Sequence, residues 1–325
     1  MSKNLLILFV SSGNSKSGIN TIVKNQGESL QDKNVKINYF TIRGKGLKNY
    51  LIHIFLLKKH LKENNYDVIH AHYGLCGIVA QLARDREKLV VSFMGSDLIG
   101  SMNSEGRYSL FGYLLVRFNK LFLKKYDFII TKSQNLAQII RSKSRNVVIP
   151  NGIDFNKFKD LGKDRARTIL NIKPEKKIII FVSDPDRKEK NYRLVKNALD
   201  LLNDKNIELI TVHSIDQEKL NLYYSAADLL IMTSYHEGSP NVIKEAMACN
   251  CPIVSTDVGD VRWVIGNTEG CYITSFDLKD VVDKIKLALK YGQRTNGREQ
   301  IKHLDNKLIA KKIIEVYKAV IGKVE

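Results

Sequence analysis

Proline is scarce in this sequence, with 5 in 325 residues, and no Gly/Ser-rich or low-complexity stretch marks a flexible linker. A domain boundary must therefore be sought in the pattern of elements. Cysteine is sparse too: Cys76, Cys249, Cys251 and Cys271 include no C-x-x-C pair, which excludes a redox or zinc knuckle. The four read as buried, inert thiols. No segment approaches the roughly 20 apolar residues that span a bilayer. The apolar run Leu5–Val10 is too short for the core of a signal peptide, so the expected location is the cytoplasm. Neither half carries G-x-G-x-x-G, which disfavours a nicotinamide dehydrogenase.

What is present is positive charge, unevenly spread. The net charge is +18; residues 1–155 hold 23 Lys and Arg against 10 Asp and Glu, and the remainder 29 against 24. A basic half can face nucleic acid, anionic lipid or an acidic substrate. No aromatic-basic RNA-binding pattern or recognition-helix motif accompanies it, so no nucleic-acid partner is expected. The segments Gly44–Lys62 and Arg107–Tyr126 carry much of the charge, the latter interleaving Lys and Arg with Leu and aromatics. Such a helix suits an anionic membrane interface; the bland alternative is a covering helix whose apolar stripe packs on a sheet.

Short apolar runs alternate with helical stretches, the signature of parallel α/β sheets covered on both faces. Strands are expected at Leu5–Val10, Val35–Phe40, Asp67–Tyr73, Leu89–Met94, Phe128–Thr131 and Asn146–Pro150. A second series follows at Lys177–Val182, Ile207–His213, Leu229–Thr233 and Pro252–Thr256. The Asn151-Gly152 turn separates the series, and the segment up to about residue 176 is charged and weakly patterned. The expected fold is α/β, with two doubly wound, Rossmann-like domains facing each other and binding ligands at the carboxyl ends of their strands. They cover residues 1–155 and 156–304, and an amphipathic helix within 305–325 packs back toward the first.

The densest chemical signal is Tyr235–Ala248, YHEGSPNVIKEAMA. A strand ends, a Gly turn follows, and a helix starts near Pro240, where a first-turn proline is tolerated. The N–H groups of a helix start attract anions or hydroxyls. Glu237 and Glu245, eight residues apart, suit two hydroxyl-rich parts of one ligand; a helix cap and a surface Glu are the plain alternative. A second signal is Phe181–Asn191, a strand-to-helix turn with cations where a diphosphate would sit. A fixed cation there lowers the barrier to departure of an anionic leaving group. Asp184-x-Asp186 mimics a metal-binding pair, but its Asp-Pro-Asp setting reads as turn chemistry. Gly13 and Gly18, in the turn after the first strand, let backbone approach a ligand.

EGSPNVIKEAMA, preceded by YSAAD and followed by CPIVSTDVGD, resembles the Glu-x7-Glu region of the family-four retaining glycosyltransferases. VIPNGID at 148–154 resembles that family's passage between domains, and matching motifs cover most of residues 66–265. The nearest likeness is to members acting in capsule, teichuronic-acid and lipopolysaccharide assembly.

The resemblance implies the GT-B fold, a nucleoside-diphosphate-sugar donor, a lipid-linked saccharide acceptor, and transfer that keeps the anomeric configuration with no metal or other cofactor. It implies that Glu245 holds the ribose and that Glu237, with backbone at Gly238, Ser239 and Asn241, holds the sugar; Val242 belongs to the same donor-binding stretch. Pro240 departs from the usual Glu-Gly-Phe-Gly and removes one N–H. Lys190 matches the family's phosphate-binding Lys, and Arg187 stands for its Arg in a displaced position. In SFMGSD (92–97), Met94 replaces the family's His while Asp97 remains, to contact acceptor or orient the loop. His72, whose place at a strand end favours exposure, is the candidate substitute for that His; a satisfied buried histidine is the plain alternative. The alternatives are a GT-B-fold nucleotide-sugar epimerase, and a basic nucleic-acid- or lipid-binding protein without transfer activity.

Overall fold

The computed structural model describes residues 5–15, 18–31, 34–44, 46–100, 109–140 and 144–322. Lys16, Ser17, Lys45 and Arg107, which belong to segments singled out above, lie outside them. The chain forms two compact units that divide between Gly152 and Ile153.

The first unit is built on six strands, β1 (Leu5–Ser12), β2 (Val35–Ile42), β3 (Val68–His72), β4 (Lys88–Phe93), β5 (Phe128–Thr131) and β6 (Asn146–Val148). All pair in parallel, in the order β2-β1-β3-β4-β5-β6. The helices are α1 (Thr21–Gln31), α2 (Leu47–Glu63), α3 (Gly74–Ala83), α4 (Ser96–Ile99), α5 (Leu110–Phe122) and α6 (Gln134–Ile140). Continuous burial of Ile7, Leu8, Phe9 and Val10 shows why the strands read as unbroken apolar runs. One core cluster joins Leu57 and Leu61 of α2, Cys76 and Val79 of α3, and Leu123 just beyond α5, so these helices share one face of the sheet.

The second unit carries β7 (Lys177–Phe181), β8 (Ile207–Thr211), β9 (Leu229–Met232), β10 (Ile253–Thr256) and β11 (Cys271–Thr274), parallel in the order β11-β10-β9-β7-β8. Its helices are α7 (Lys163–Leu170), α8 (Tyr192–Leu202), α9 (Gln217–Ala226), α10 (Asn241–Ala248), α11 (Val261–Ile265), α12 (Leu278–Tyr291) and α13 (Gly297–Gln300). Several elements depart from expectation, among them β11, α7 and the short helices α11 and α13. The four-residue β11 is too short to stand out in the pattern. And α7 occupies the segment taken as weakly patterned, because it buries a charge in place of an apolar stripe. Arg167 is 5% exposed and donates to Asp228 Oδ2 at 2.7 Å and to the carbonyls of Ala226 and Pro174.

The last helix, α14 (Asn306–Val320), belongs to the first unit and lies beside α1. Its Tyr317 hydroxyl is hydrogen-bonded to His70 Nδ1 at 2.6 Å. All four cysteines are free thiols. Among the described residues no helix is long and apolar enough to cross a membrane.

Candidate functional site

In the second unit, the turns that leave β7 and β9 meet. These strands are neighbours, so residues 47 apart in sequence come together. The Lys190 ammonium donates to Glu237 Oε1 at 2.5 Å, and each side chain is about one-sixth exposed. Backbone ties fix the pairing. Tyr235 N–H donates to Glu189 O at 2.9 Å, and Thr233 Oγ1 donates to the carbonyls of Lys190 and Asn191. Asn191 adopts the left-handed conformation (φ 53°) that turns the chain from this loop into α8.

Arg187 is exposed and grips Glu189 Oε1 through Nε and Nη2, at 2.8 and 2.5 Å. Against partial burial, a hydrogen bond from its own backbone N–H, with Arg187 and Lys190 beside it, holds the Glu189 carboxyl below its ordinary range. Asp184 Oδ1 accepts from Asp186 N–H at 3.0 Å, which is turn chemistry. Among the described residues no group of three or more His, Cys, Asp or Glu is arranged to hold a metal.

α10 begins at Asn241, directly after Pro240, whose φ of −69° suits a helix entry. Gly238, Ser239 and Pro240 are buried, while Asn241 and Val242 are partly exposed. Glu245, on the buried side of α10, is 6% exposed and accepts from the Tyr224 hydroxyl at 2.8 Å. Burial pushes its carboxyl up to about 7, opposed by that hydrogen bond and by the Lys244 charge. The plain alternative of a water-facing Glu245 is thereby overturned. α10 is apolar on more of its circumference than its Ala-Met-Ala end suggests, and Ile243 through Ala248 are all buried.

Three residues of this region carry no sequence signal of a role. Tyr224 orients Glu245. His236 is half buried, and its pKa is lowered by burial and by Lys190 and Arg187, with Glu237 and Glu189 opposing. Its Nδ1 is buried without a hydrogen-bond partner among the described residues. Lys244 reads as one more helix lysine and is fully buried.

The first unit arranges its candidates differently. Gly13 N–H donates to Ile42 O at 2.8 Å, and a Cβ on Gly13 would lie 2.8 Å from Thr41 Cβ, so this glycine permits close packing of the turn on β2. Gly18 takes a left-handed φ of 76° in the same loop. The Asp97 carboxylate is fully buried and accepts N–H bonds from Gly74, Met94 and Gly95 at 2.9–3.1 Å. Of its two expected roles, it performs that of orienting the loop. Burial lifts it to about 6 against those three bonds.

His72 is 2% exposed, which corrects the expectation of an open strand end. β3 is central, between β1 and β4, so its end is covered. The His72 ring stacks on His70 at 4.2 Å and lies 4.5 Å from Phe9. Burial and the Lys132 charge keep it neutral, and neither ring nitrogen has a partner among the described residues.

The surface of this unit carries its charge. On α2, Leu47, Leu51, Ile52, Phe55 and Leu56 are exposed, Phe55 at 75%. On α5, so are Leu110, Tyr113, Leu114, Phe118 and Leu121, with Leu110 at 76%. Lys48, Lys58, Lys59 and Lys62 flank the first group; Arg117, Lys120, Lys124 and Lys125 flank the second. Each helix therefore packs one side on the core, as the covering-helix alternative holds, and carries exposed apolar side chains on the other.

Two family models match the chain in succession: Glycosyltransferase Family 4 over residues 19–157 and Glycosyl transferases group 1 over 187–307. The D-inositol 3-phosphate glycosyltransferase of Mycolicibacterium smegmatis is 26% identical over 281 residues, covering 73% of this chain and 63% of that protein. A Bacillus subtilis glycosyltransferase named for teichuronic acid biosynthesis, TuaC, is 25% identical over 224 residues, 62% of this chain and 55% of its own length. The chain thus spans about three-fifths of the length of these curated relatives.

Among solved structures, sucrose-phosphate synthase of Thermosynechococcus elongatus aligns with a TM-score of 0.79 at 20% identity, over 98% of this chain and 100% of its own. HepE of Anabaena, in complex with UDP, aligns at 0.73 and 16% identity, over 97% and 100%. With two parallel-sheet Rossmann-like units, a GT-B likeness along its length and both family models matched in order, the chain belongs to the family-four glycosyltransferases of GT-B fold.

Proposed function

We propose that this protein transfers a sugar from a nucleoside-diphosphate sugar to a lipid-linked or growing cell-surface glycan, at the inner face of a membrane and with retention of configuration. The observation that carries the reading is the Lys190–Glu237 pair, which joins a phosphate-binding cation to the Glu-x7-Glu turn. Lys190 exchanges its Glu237 partner for the donor diphosphate and stabilises the charge that grows as the nucleotide leaves. Arg187, on the same turn, adds a second cation. Glu237, released, accepts from hydroxyls of the transferred sugar, beside the backbone of Gly238, Ser239 and Asn241. Glu245, oriented by Tyr224, accepts from the ribose hydroxyls. The departing phosphate oxygen takes the acceptor proton, so neither a metal nor a side-chain base at Met94 is required.

Membrane attachment rests on a different observation. The exposed apolar side chains of α2 and α5 are flanked by Lys and Arg, which matches an interface with anionic headgroups above and acyl chains below. Nucleic acid offers no counterpart for exposed Phe55, Leu110 and Leu121, and a soluble-substrate epimerase has no use for them.

Thermal shift against UDP-, GDP-, ADP- and CMP-sugars tests the donor reading. A ligand at 100 times its Kd stabilises by about 2.7 kcal/mol. Stabilisation by one nucleotide class, absent in Glu245→Ala and Lys190→Ala, supports it; no response to any class removes it. Incubation of the stabilising donor with membrane extract then separates the readings, since an epimerase converts the donor without labelling lipid.

A further inference from the structure

Under the Glu237 turn lies a charge for which the donor chemistry has no use. Lys244 is 0% exposed, within the first two turns of α10. Its ammonium donates to Asp260 Oδ2 at 3.0 Å and to Ser239 Oγ. The Ser239 hydroxyl donates in turn to the same Asp260 oxygen at 2.7 Å. Asp260 is itself 6% exposed. Three polar side chains thus close a buried ring that ties the turn after β9 to the loop after β10.

Two other contacts join the same segments. Thr256 Oγ1 donates to Ser234 O at 2.8 Å, close to the ends of the strands. Further out, Gly259 sits at φ 63°, and a Cβ there would lie 2.8 Å from Gly238 O and 3.0 Å from Glu237 O. The two segments are therefore in backbone contact at the residues that follow and include Glu237. Burying an ion pair is weak evidence of stability, because desolvation of both charges offsets their attraction. A fully buried lysine at this place calls for another account.

We propose that Lys244 is the positioning residue of the donor site. By holding Ser239 and Asp260 together, it fixes the Glu237–Ser239 backbone on the loop after β10, so that the sugar-binding carboxylate stays within reach of Lys190. The proposal rests on the reading of that turn as the sugar-holding element. It also assigns the Ser239 hydroxyl to the turn and not to a ligand. An apolar side chain of similar length fills the space of Lys244 but holds neither partner.

Stability and position separate in a cycle of Lys244→Met, Asp260→Asn and the double variant. Each single change leaves a buried charge or carboxylate without its partner and lowers the melting temperature; the double removes both charges and recovers most of that loss. Two readouts are taken on the full chain. One is kcat and KM with the nucleotide sugar that the wild type turns over. The other is amide exchange of residues 237–239 and 241, measured at equal distance below each melting midpoint.

The expected result for the double variant is a recovered melting temperature, kcat reduced about 100-fold with KM within a few-fold, and faster exchange in the turn. A double variant with wild-type kcat and wild-type protection overturns the proposal and makes Lys244 a structural lysine. Should the wild type turn over no nucleotide sugar, the transfer reading falls by itself. The exchange measurement then still decides on Lys244, and unchanged protection overturns it.

Discussion

The two units carry polar residues near the carboxyl ends of parallel strands, but in opposite states. In the second, Lys190 and Glu237 are a partly exposed ion pair, with exposed Arg187 and half-buried Glu189 beside them. In the first, His70, His72 and Asp97 are sealed, with the histidines held neutral by burial. Much of that unit's positive charge lies on α2 and α5, while Lys132, directly after β5, is buried beside the histidines. On the function proposed above, charged ligand chemistry belongs to the second unit and membrane attachment to the first, although the first has the greater net charge.

The sharpest way to break this comparison is to remove the exposed ion pair. Lys190→Ala is expected to lower kcat by about 10²–10³-fold, the scale of losing one transition-state contact, and steady-state kinetics with the selected donor measures it. An equal loss from His72→Ala, with stability held, would erase the difference between the units.

Next in size is a pH effect at Glu245. Burial raises its carboxyl to about 7, above its unfolded value near 4.3. The folded state therefore holds its proton more tightly, and stability falls as pH rises from about 4.3 to 7, by ~4 kcal/mol in all. Urea unfolding of Glu245→Gln should lack this decline and leave the variant more stable than wild type at pH 8. Donor binding should run the other way in the wild type, tightening as pH rises through 7 and the carboxylate forms.

In the first unit, Asp97→Ala is expected to cost about 2–3 kcal/mol by leaving three buried N–H groups without acceptors. Chemical denaturation reads the loss, and a donor Kd unchanged in the folded fraction confirms that the effect stays in this unit.

These predictions draw on parts of the molecule that differ in legibility. Ten of the strands follow from apolar runs, because strands covered on both faces have no alternation to misread. β11 escapes, since four residues between Gly270 and Ser275 give no periodicity. α7 escapes because Arg167, the residue that anchors it, finds its partner Asp228 across 61 positions. Lys190 and Glu237 are legible through the family motif, whereas their pairing depends on the adjacency of β7 and β9. Lys244 and Tyr224 are not legible as site residues, because burial is a property of the assembled turn. His72 misleads for the same reason. For α2 and α5 the sequence shows amphipathic, basic segments; which side faces out depends on what the sheet leaves uncovered.

Membrane attachment sharpens the other half of the comparison with a smaller effect. Phe55→Ser with Leu121→Ser should weaken binding to phosphatidylglycerol-containing vesicles by at least about tenfold, since burying each of these side chains is worth roughly 1.5–3 kcal/mol. Sedimentation reads it, and neutral vesicles should bind weakly throughout. Smallest is Arg187→Ala, whose exposed pair with Glu189 contributes under about 1 kcal/mol to stability. Its melting temperature should hardly move, and any loss of kcat then reports its action on the diphosphate.

The most direct test is calorimetric titration of the stabilising nucleotide sugar into wild type and Lys190→Ala, alongside their melting temperatures. The account predicts a Kd weakened by at least about tenfold in the variant, the worth of one charge-assisted contact of about 1.5–3 kcal/mol, with little change in melting. An unchanged Kd in a folded Lys190→Ala protein would contradict the placement of the donor on the Lys190–Glu237 turns.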